Sequence, residues 1–187
     1  MNIPNALTLL RLLLVPCFIG ASIERMYGVA FVIFTTAAIT DVLDGMIARR
    51  LNQRTRFGAL FDPAADKLLM VSGYVFYTFS TTLPVVAIPG WLTFVVFIRD
   101  FLLAVFAYLL YTRVHIQRFP PTWAGKASTV LQAVTLGAAI AANAGAPGLL
   151  RLAELLFQAA LVMTLYSSFA YLRRAERWLD EEAAAGA

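Results

Sequence analysis

Four aspartates lie within residues 41–66, between strongly apolar segments: Asp41, Asp44, Asp62 and Asp66. Asp41 and Asp44 are three residues apart and Asp62 and Asp66 are four apart, so each pair shares a face if its segment is helical. An uncompensated charge at membrane depth costs at least about 2.5 kcal/mol, so the cluster needs positive charge beside it. Oxygen ligands select hard cations such as Mg²⁺ or Mn²⁺. The spacing therefore predicts a site for two such ions, with open positions for a phosphorylated ligand.

The residues around these acids suit a phosphorylated ligand. Gly45, Ala48 and Gly58 are small enough for a ligand or another backbone to approach closely, and Arg49 offers a planar fork that matches phosphate. The small residues could instead pack helices together, and the arginine could extend to the membrane interface. These alternatives do not account for the four acids, which the nearby Arg and Lys side chains would offset incompletely.

The composition indicates an integral membrane protein. Of the 187 residues, 60% are hydrophobic and 14% are charged, whereas an ordinary soluble domain has roughly 25% charged residues. A helix rises 1.5 Å per residue and the hydrocarbon core is about 30 Å thick, so the chain has room for about six spans. We therefore expect one all-α transmembrane domain over residues 1–187, built as a bundle of six helices.

The apolar segments predict where these helices lie. The predicted spans are residues 3–22, 27–50, a third that begins between Gly58 and Pro63 and ends at about Thr82, 85–112, 124–143 and 147–171. A charged and alanine-rich tail follows over residues 173–187, and we expect it to form a frayed helix. Asp62 followed by Pro63 predicts the first turn of the third helix, where proline loses no hydrogen bond. A short connection makes the second and third helices antiparallel neighbours, which would bring the four carboxylates to one depth.

The basic residues alternate between connections. The formal charge is +4, and arginines gather after the second, fourth and sixth spans, whereas the other connections are nearly free of them. By the positive-inside rule both termini and the aspartates face the cytoplasm. A nucleic-acid surface is not expected, because no polar domain is present to carry it.

Cys17 is the single cysteine, which excludes an intrachain disulfide. Arg11 interrupts the first apolar run, which favours a retained span over a cleaved signal peptide.

The acids belong to a longer pattern of residues. It reads D-V-L-D-G-M-I-A-R over residues 41–49 and, after eight further residues, G-A-L-F-D-P-A-A-D over residues 58–66. At all of its fixed positions this pattern resembles the signature of the CDP-alcohol phosphatidyltransferases. The resemblance implies six transmembrane helices, usually in a homodimer, a CDP-diacylglycerol donor, divalent metal, and CMP as the leaving product. It also implies that the aspartates hold the ions and that Asp66, last in the series, is the general base.

Residues outside this pattern resemble glycerol-type members of the same family. Asn5 and Thr8, with Arg11 on the same helical face, are similar to a segment that lies near the nucleotide site. The alternative is that the two polar residues cap the helix and that the arginine extends to the membrane interface.

A second group of residues resembles the acceptor side of these enzymes. The pair Arg99 and Asp100 is similar to an arginine and acid in the fourth helix of glycerophosphate and cardiolipin synthases, although a structural ion pair is the alternative. Lys126 resembles the lysine of a G-K pattern that opens the fifth helix, with an interfacial anchor as the alternative. The candidate acceptor-binding residues are Arg99, Arg113, Arg118 and Lys126.

The identity of the acceptor is predicted from charge and resemblance. Glycerol 3-phosphate carries two charges and needs several converging cations, whereas phosphatidylglycerol carries one. Phosphatidylglycerophosphate synthases carry a second arginine about nine residues after the one that resembles Arg99, where this chain has Tyr108. The resemblance therefore favours cardiolipin synthesis from phosphatidylglycerol, with glycerol 3-phosphate as the alternative acceptor.

Two functions outside this family would also use acids in a membrane. An aspartate-rich prenyltransferase should carry two acid motifs in separate helical hairpins, and this chain has one cluster. A divalent-cation transporter should place its acids near the bilayer midplane between related repeats, and the sequence shows no repeat. The compact size and the lack of a transit-type segment favour a bacterial inner membrane, with the site on its cytoplasmic side, over the mitochondrial inner membrane.

Overall fold

The fold is all-helical, as predicted. The computed structural model describes residues 3–51, 56–113 and 122–185, and it describes side chains for residues 9–41, 67–106, 108, 112 and 122–175. Within these residues there is no strand. The helices are α1 (Ile3–Ile23), α2 (Tyr27–Leu51), α3 (Arg56–Phe79), α4 (Gly90–Arg113), α5 (Trp123–Asn143) and α6 (Leu150–Ala185), the last preceded by a 3-10 turn over Pro147–Leu149.

Three helices, α1, α2 and α5, agree with their predicted spans to within one residue at each end. The prediction for the start of α3 was wrong, because the helix begins at Arg56 and Pro63 lies inside it, not in its first turn. An interior proline removes one backbone hydrogen bond, a loss that a helix of 24 residues accommodates. The tail is helical as far as Ala185, where α6 ends.

The start of α4 also differs from the prediction, for a reason that lies on another helix. Asn143, the last residue of α5, accepts hydrogen bonds at Oδ1 from the backbone N–H groups of Val85 (3.0 Å) and Val86 (3.2 Å). Its Nδ2 donates to the carbonyl of Val86 at 2.7 Å. These bonds satisfy the backbone of this segment outside a helix, so α4 begins at Gly90.

The chain divides into two compact units. One comprises Met1–Ile88 and Thr135–Ala153, and the other comprises Pro89–Val134 and Glu154–Ala187. In the first unit, α1 packs against both α2 and α3, the helices that carry the aspartates.

Aromatic side chains form the core of the first unit. The ring of Phe18 in α1 is 6.0 Å from that of Phe34 in α2 and 6.3 Å from that of Tyr77 in α3, measured between centroids. Gly73 permits a close approach, because a Cβ there would lie 2.6 Å from Leu136 and 3.4 Å from Phe18. The helices that carry the aspartates are therefore both fixed against α1.

The core of the second unit contains a polar cluster. Gln132 of α5 donates through Nε2 to Thr164 of α6 at 3.0 Å and to Ser128 at 3.2 Å, and the two hydroxyl groups are 3.3 Å apart. All three side chains are buried. Hydrogen bonds of this kind join helices in a membrane, where apolar contact alone gives little preference for protein over lipid.

Many large apolar side chains point outwards while polar ones are buried. The exposed residues include Phe79, Phe94, Phe101, Leu155 and Val162, whereas Arg11, Arg99, Gln132 and Asn143 are buried. This distribution suits a lipid environment. In the described part of the chain, one helical stretch, Pro147–Ala175, is long and apolar enough to cross a membrane, and the apolar stretches Leu9–Ile23 and Tyr27–Asp41 are shorter. The six-span topology and the cytoplasmic termini stay predictions.

Candidate active site

The backbone places each pair of aspartates on a helix. Asp41 and Asp44 lie in the second half of α2, and Asp62 and Asp66 lie in the first half of α3. On helices, spacings of three and four residues put each pair on one face, as the sequence predicted. The side chains of Asp44, Asp62 and Asp66 lie outside the described residues, so the meeting of all four carboxylates stays a prediction.

Asp41 is held by an arginine from another helix. Nη1 of Arg11 in α1 lies 3.0 Å from Oδ1 of Asp41. The arginine is 1% exposed and is enclosed by the protein, which favours a structural or site role over an arginine that extends to the membrane interface. The Asp41 side chain is 43% exposed. The ion pair thus places a positive charge beside this carboxylate and also joins α1 to α2.

Asp41 retains the features of a metal ligand in this ion pair. A carboxylate has two oxygens and about four lone-pair positions, and the contact with Arg11 uses one oxygen. No group of three or more His, Cys, Asp or Glu side chains that could hold a metal occurs among the described residues. Carboxylates offer only oxygen ligands, so the four aspartates of the sequence have the chemistry that fits Mg²⁺ or Mn²⁺, and their joint binding of these ions stays a prediction.

The remaining candidates for the nucleotide site lie on the same three helices. Their backbones are helical, and their side chains lie outside the described residues: Asn5 and Thr8 in α1, Gly45, Ala48 and Arg49 in α2, and Gly58 in α3. Their roles therefore stay predictions.

Arg99 is contacted on several sides within the second unit. Its Nη1 donates to Oδ1 of Asp100 at 2.7 Å, and its Nη2 donates to the hydroxyl of Ser167 in α6 at 3.0 Å. Its Cζ lies 6.0 Å from the ring centroid of Tyr171, within the range of a cation–π contact. The residue is 7% exposed. The structure therefore contains the ion pair that was the alternative reading, and this pair is joined to α6. The role of Arg99 in acceptor binding stays a prediction.

One donor of Arg99 has no partner among the described residues. Its Nε is buried and makes no hydrogen bond there. A buried donor without a partner costs about 1–3 kcal/mol. An anionic ligand beside this guanidinium would remove that penalty, so Arg99 has the chemistry of a binding residue as well as that of a structural one.

The start of α5 is capped by a side chain and held by Tyr171. Thr122, the residue before the helix, accepts a hydrogen bond at Oγ1 from the N–H of Gly125 at 3.0 Å, which is an N-cap. The N–H of Thr122 donates to the hydroxyl of Tyr171 at 3.3 Å. Lys126 lies in this first turn and its side chain is exposed, which agrees both with binding of a polar ligand and with an interfacial anchor.

The other two acceptor candidates are not placed as side chains. Arg113 is the last residue of α4, and its side chain lies outside the described residues. Arg118 lies wholly outside them.

Sequence reasoning missed Ser167 and Tyr171. With Thr164 they form a stripe at intervals of three and four residues along α6, and this polar stripe in an apolar helix was the signal that could have revealed them.

The family model of the CDP-alcohol phosphatidyltransferases matches residues 1–166, which include both acid pairs and Arg99. The chain belongs to this family. It is therefore a transferase of phospholipid synthesis, and its relatives are bacterial membrane enzymes.

Relatives with three different names resemble the chain. A probable phosphatidylglycerophosphate synthase of Mycobacterium tuberculosis is 35% identical over 182 residues, which cover 94% of this chain and 82% of the relative. A putative cardiolipin synthase of Mycobacterium bovis is 37% identical over 132 residues, which cover 69% and 59%. A CDP-diacylglycerol–glycerol-3-phosphate 3-phosphatidyltransferase of Wigglesworthia glossinidia brevipalpis is 45% identical over 92 residues, which cover 45% and 50%. These names leave the acceptor of this chain open.

Proposed function

We propose that this enzyme transfers the phosphatidyl group of CDP-diacylglycerol to phosphatidylglycerol, which yields cardiolipin and CMP. The observation that carries the choice of acceptor is the 2.7 Å ion pair between Arg99 and Asp100. Asp100 offsets the charge of Arg99, so Lys126 provides the net positive charge of the described acceptor candidates.

This net charge matches a phosphodiester better than a phosphomonoester. Phosphatidylglycerol carries one negative charge, whereas glycerol 3-phosphate carries about two at neutral pH and needs several charge-assisted hydrogen bonds. A guanidinium whose charge is already offset still offers directional donors. Arg99 therefore suits the recognition of a single diester, with Lys126 as the exposed cation.

The donor binds at the aspartates in this proposal. Two Mg²⁺ or Mn²⁺ ions bound there would neutralise the diphosphate and stabilise the departing CMP. The residues that hold the ions are Asp41, Asp44, Asp62 and Asp66, and those that contact the CDP group are Asn5, Thr8, Gly45, Ala48, Arg49 and Gly58.

The transfer step uses Asp66 as the base. Asp66 takes the proton from the acceptor hydroxyl as that oxygen attacks the phosphorus that bears diacylglycerol. A new phosphorus–oxygen bond forms, and the bond from this phosphorus to the oxygen bridging the two phosphates breaks. The electron pair of that bond leaves with CMP. The ion pair with the buried Arg11 orients Asp41 while this takes place.

Glycerol 3-phosphate is the second candidate acceptor. The relative that matches 94% of this chain is called a probable phosphatidylglycerophosphate synthase. If the side chains of Arg113 and Arg118 join Lys126, the site gains the cations that a dianion requires. We further propose that the site lies on the cytoplasmic side of the bacterial inner membrane and that the enzyme is a homodimer.

The acceptor is tested with purified protein in liposomes that contain CDP-diacylglycerol and Mg²⁺ or Mn²⁺. Phosphatidylglycerol, glycerol 3-phosphate, inositol phosphate and serine are supplied separately, and the lipid products and CMP are measured by mass spectrometry. We expect cardiolipin from phosphatidylglycerol. Phosphatidylglycerophosphate as the main product would establish the second candidate. Cation transport without nucleotide, and without CMP release in any reaction, would refute the transferase proposal.

A further inference from the structure

Tyr171 contacts two helices that carry predicted acceptor residues. Its ring lies beside the guanidinium of Arg99 in α4, with the centroid 6.0 Å from Cζ. Its hydroxyl accepts a hydrogen bond from the N–H of Thr122, the cap of α5, at 3.3 Å. One side chain of α6 thus joins the arginine to the turn that contains Lys126.

The start of α5 leaves room for this ring. A Cβ on Gly125 would lie 2.9 Å from Cε2 and 3.1 Å from the hydroxyl oxygen of Tyr171. The first distance is shorter than real Cβ contacts and the second is tighter than most of them, so a side chain at this position would push the ring of Tyr171. It would also press on Oγ1 of Thr122, which would lie 3.1 Å away. Glycine is otherwise a poor helix residue. The close approach of Tyr171 gives a physical reason for a glycine next to Lys126.

Ser167 contacts the same guanidinium from the preceding turn of α6. Its hydroxyl accepts a hydrogen bond from Nη2 of Arg99 at 3.0 Å. Ser167 and Tyr171 are four residues apart and share a face of α6. The serine fixes the direction of the guanidinium, whereas the tyrosine connects it to α5, so the two residues perform different tasks.

We propose that Tyr171 is a positioning residue for the acceptor, because it sets the separation between the guanidinium of Arg99 and the first turn of α5, where Lys126 lies. This inference rests on the proposed role of these two cations in acceptor binding. Binding of a phosphate by two cations depends on the distance between them. A residue that holds both cations in place lowers the conformational entropy that is lost when the ligand binds. Loss of the spacer should therefore weaken acceptor binding and leave donor binding unchanged.

The test compares kinetic constants of Tyr171→Leu, Tyr171→Phe and Gly125→Ala with those of the wild type. One substrate is varied while the other is saturating. We expect Tyr171→Leu to raise KM for the acceptor about tenfold, with less than a twofold change in kcat and in KM for CDP-diacylglycerol. Tyr171→Phe keeps the ring and should raise the acceptor KM about twofold. Gly125→Ala displaces the ring and should resemble Tyr171→Leu.

Two variants serve as matched controls. Tyr166→Leu removes an exposed tyrosine from the same helix, and Gly28→Ala adds a methyl group where no atom lies within 4 Å. Both should leave the acceptor KM unchanged. In the double variant Gly125→Ala with Tyr171→Leu, the effects should not multiply, because both act by removing the same contact.

The proposal is overturned if Tyr171→Leu raises both KM values equally or lowers kcat alone. It is also overturned if the rise in acceptor KM of the double variant equals the product of the rises in Tyr171→Leu and Gly125→Ala. If Tyr171→Leu does not elute as a folded protein, Gly125→Ala decides, and an unchanged acceptor KM in that variant overturns the inference. Failure of the proposed function has a different signature, since the wild type would then release no CMP with either phosphatidylglycerol or glycerol 3-phosphate. The inference itself is tested with whichever of the two acceptors the wild type uses.

Discussion

Each unit of the molecule contains a buried arginine paired with an aspartate, and the two pairs are built differently. Arg11 reaches from α1 to Asp41 on α2, whose side chain is 43% exposed. Arg99 is paired with its own neighbour Asp100, whose side chain is 21% exposed, and is also bonded to Ser167. In the first pair the acid remains accessible. In the second pair the arginine is 7% exposed and is held by contacts with both Asp100 and Ser167.

This difference separates two uses of a charge in an apolar environment. An accessible carboxylate with a cation on one oxygen can still bind a metal through the other oxygen. An arginine beside its own counter-ion adds little net charge, but its donors keep a fixed direction. We therefore assign the first unit to metal and diphosphate and the second to the acceptor, and the following substitutions test that assignment.

The largest expected effect distinguishes the acids of the two units. Asp66→Asn should lower turnover by about a thousandfold or more, because it removes the proposed base and a metal ligand. Asp100→Asn should lower it far less, since Asp100 is paired with Arg99 and is not one of the four proposed metal ligands. CMP release measures both. Wild-type turnover by Asp66→Asn would refute the proposed base.

Removal of Arg11 should reveal its role as a counter-ion of Asp41. Breaking a buried ion pair costs about 3–5 kcal/mol, and the partial exposure of Asp41 reduces our expectation for Arg11→Gln to about 1–3 kcal/mol. Added Mg²⁺ should stabilise this variant more than the wild type, because the ion then supplies the missing charge.

Thermal unfolding in detergent, with and without Mg²⁺, measures the effect of Arg11→Gln. Arg25→Gln is the control, because Arg25 is exposed just beyond the other end of α1. Equal stabilisation of the wild type and Arg11→Gln by Mg²⁺ would contradict the link between this ion pair and the metal site.

Substitution of Arg99 should affect the acceptor and spare the donor. Arg99→Gln removes the charge-assisted donors, so KM for the acceptor should rise about tenfold, which corresponds to about 1.4 kcal/mol. Arg99→Lys keeps the charge but loses the planar fork and should restore little of the binding. Arg151→Gln, at an exposed position, is the control. A larger change in KM for CDP-diacylglycerol would reverse the assignment of the two units.

The smallest expected effect concerns one hydrogen bond in the second unit. Ser167→Ala removes the acceptor for Nη2 of Arg99 and should raise the acceptor KM about threefold to fivefold. Ser168→Ala is a close control, because that hydroxyl donates to the carbonyl of Thr164 within α6. Identical kinetics of the two variants would show that this bond does not position Arg99.

The sequence alone determined the properties that depend on residues close to one another along the chain. Helix formation and the sharing of a face follow from spacings of three and four residues, so the all-helical fold and the placement of the acid pairs on α2 and α3 could be predicted. The signature over residues 41–66 identified the family because its spacing is local.

The tertiary structure decided which distant side chains meet. The partner of Arg11 lies on another helix, Ser167 is 68 residues from Arg99, and Tyr171 is 49 residues from Thr122. Asn143 likewise sets the start of α4 from the end of α5. Periodicity specifies the face of a helix on which a residue lies, but not the helix that this face contacts. That choice depends on the packing of side chains from remote parts of the chain, and the pairing of the buried arginines follows from it.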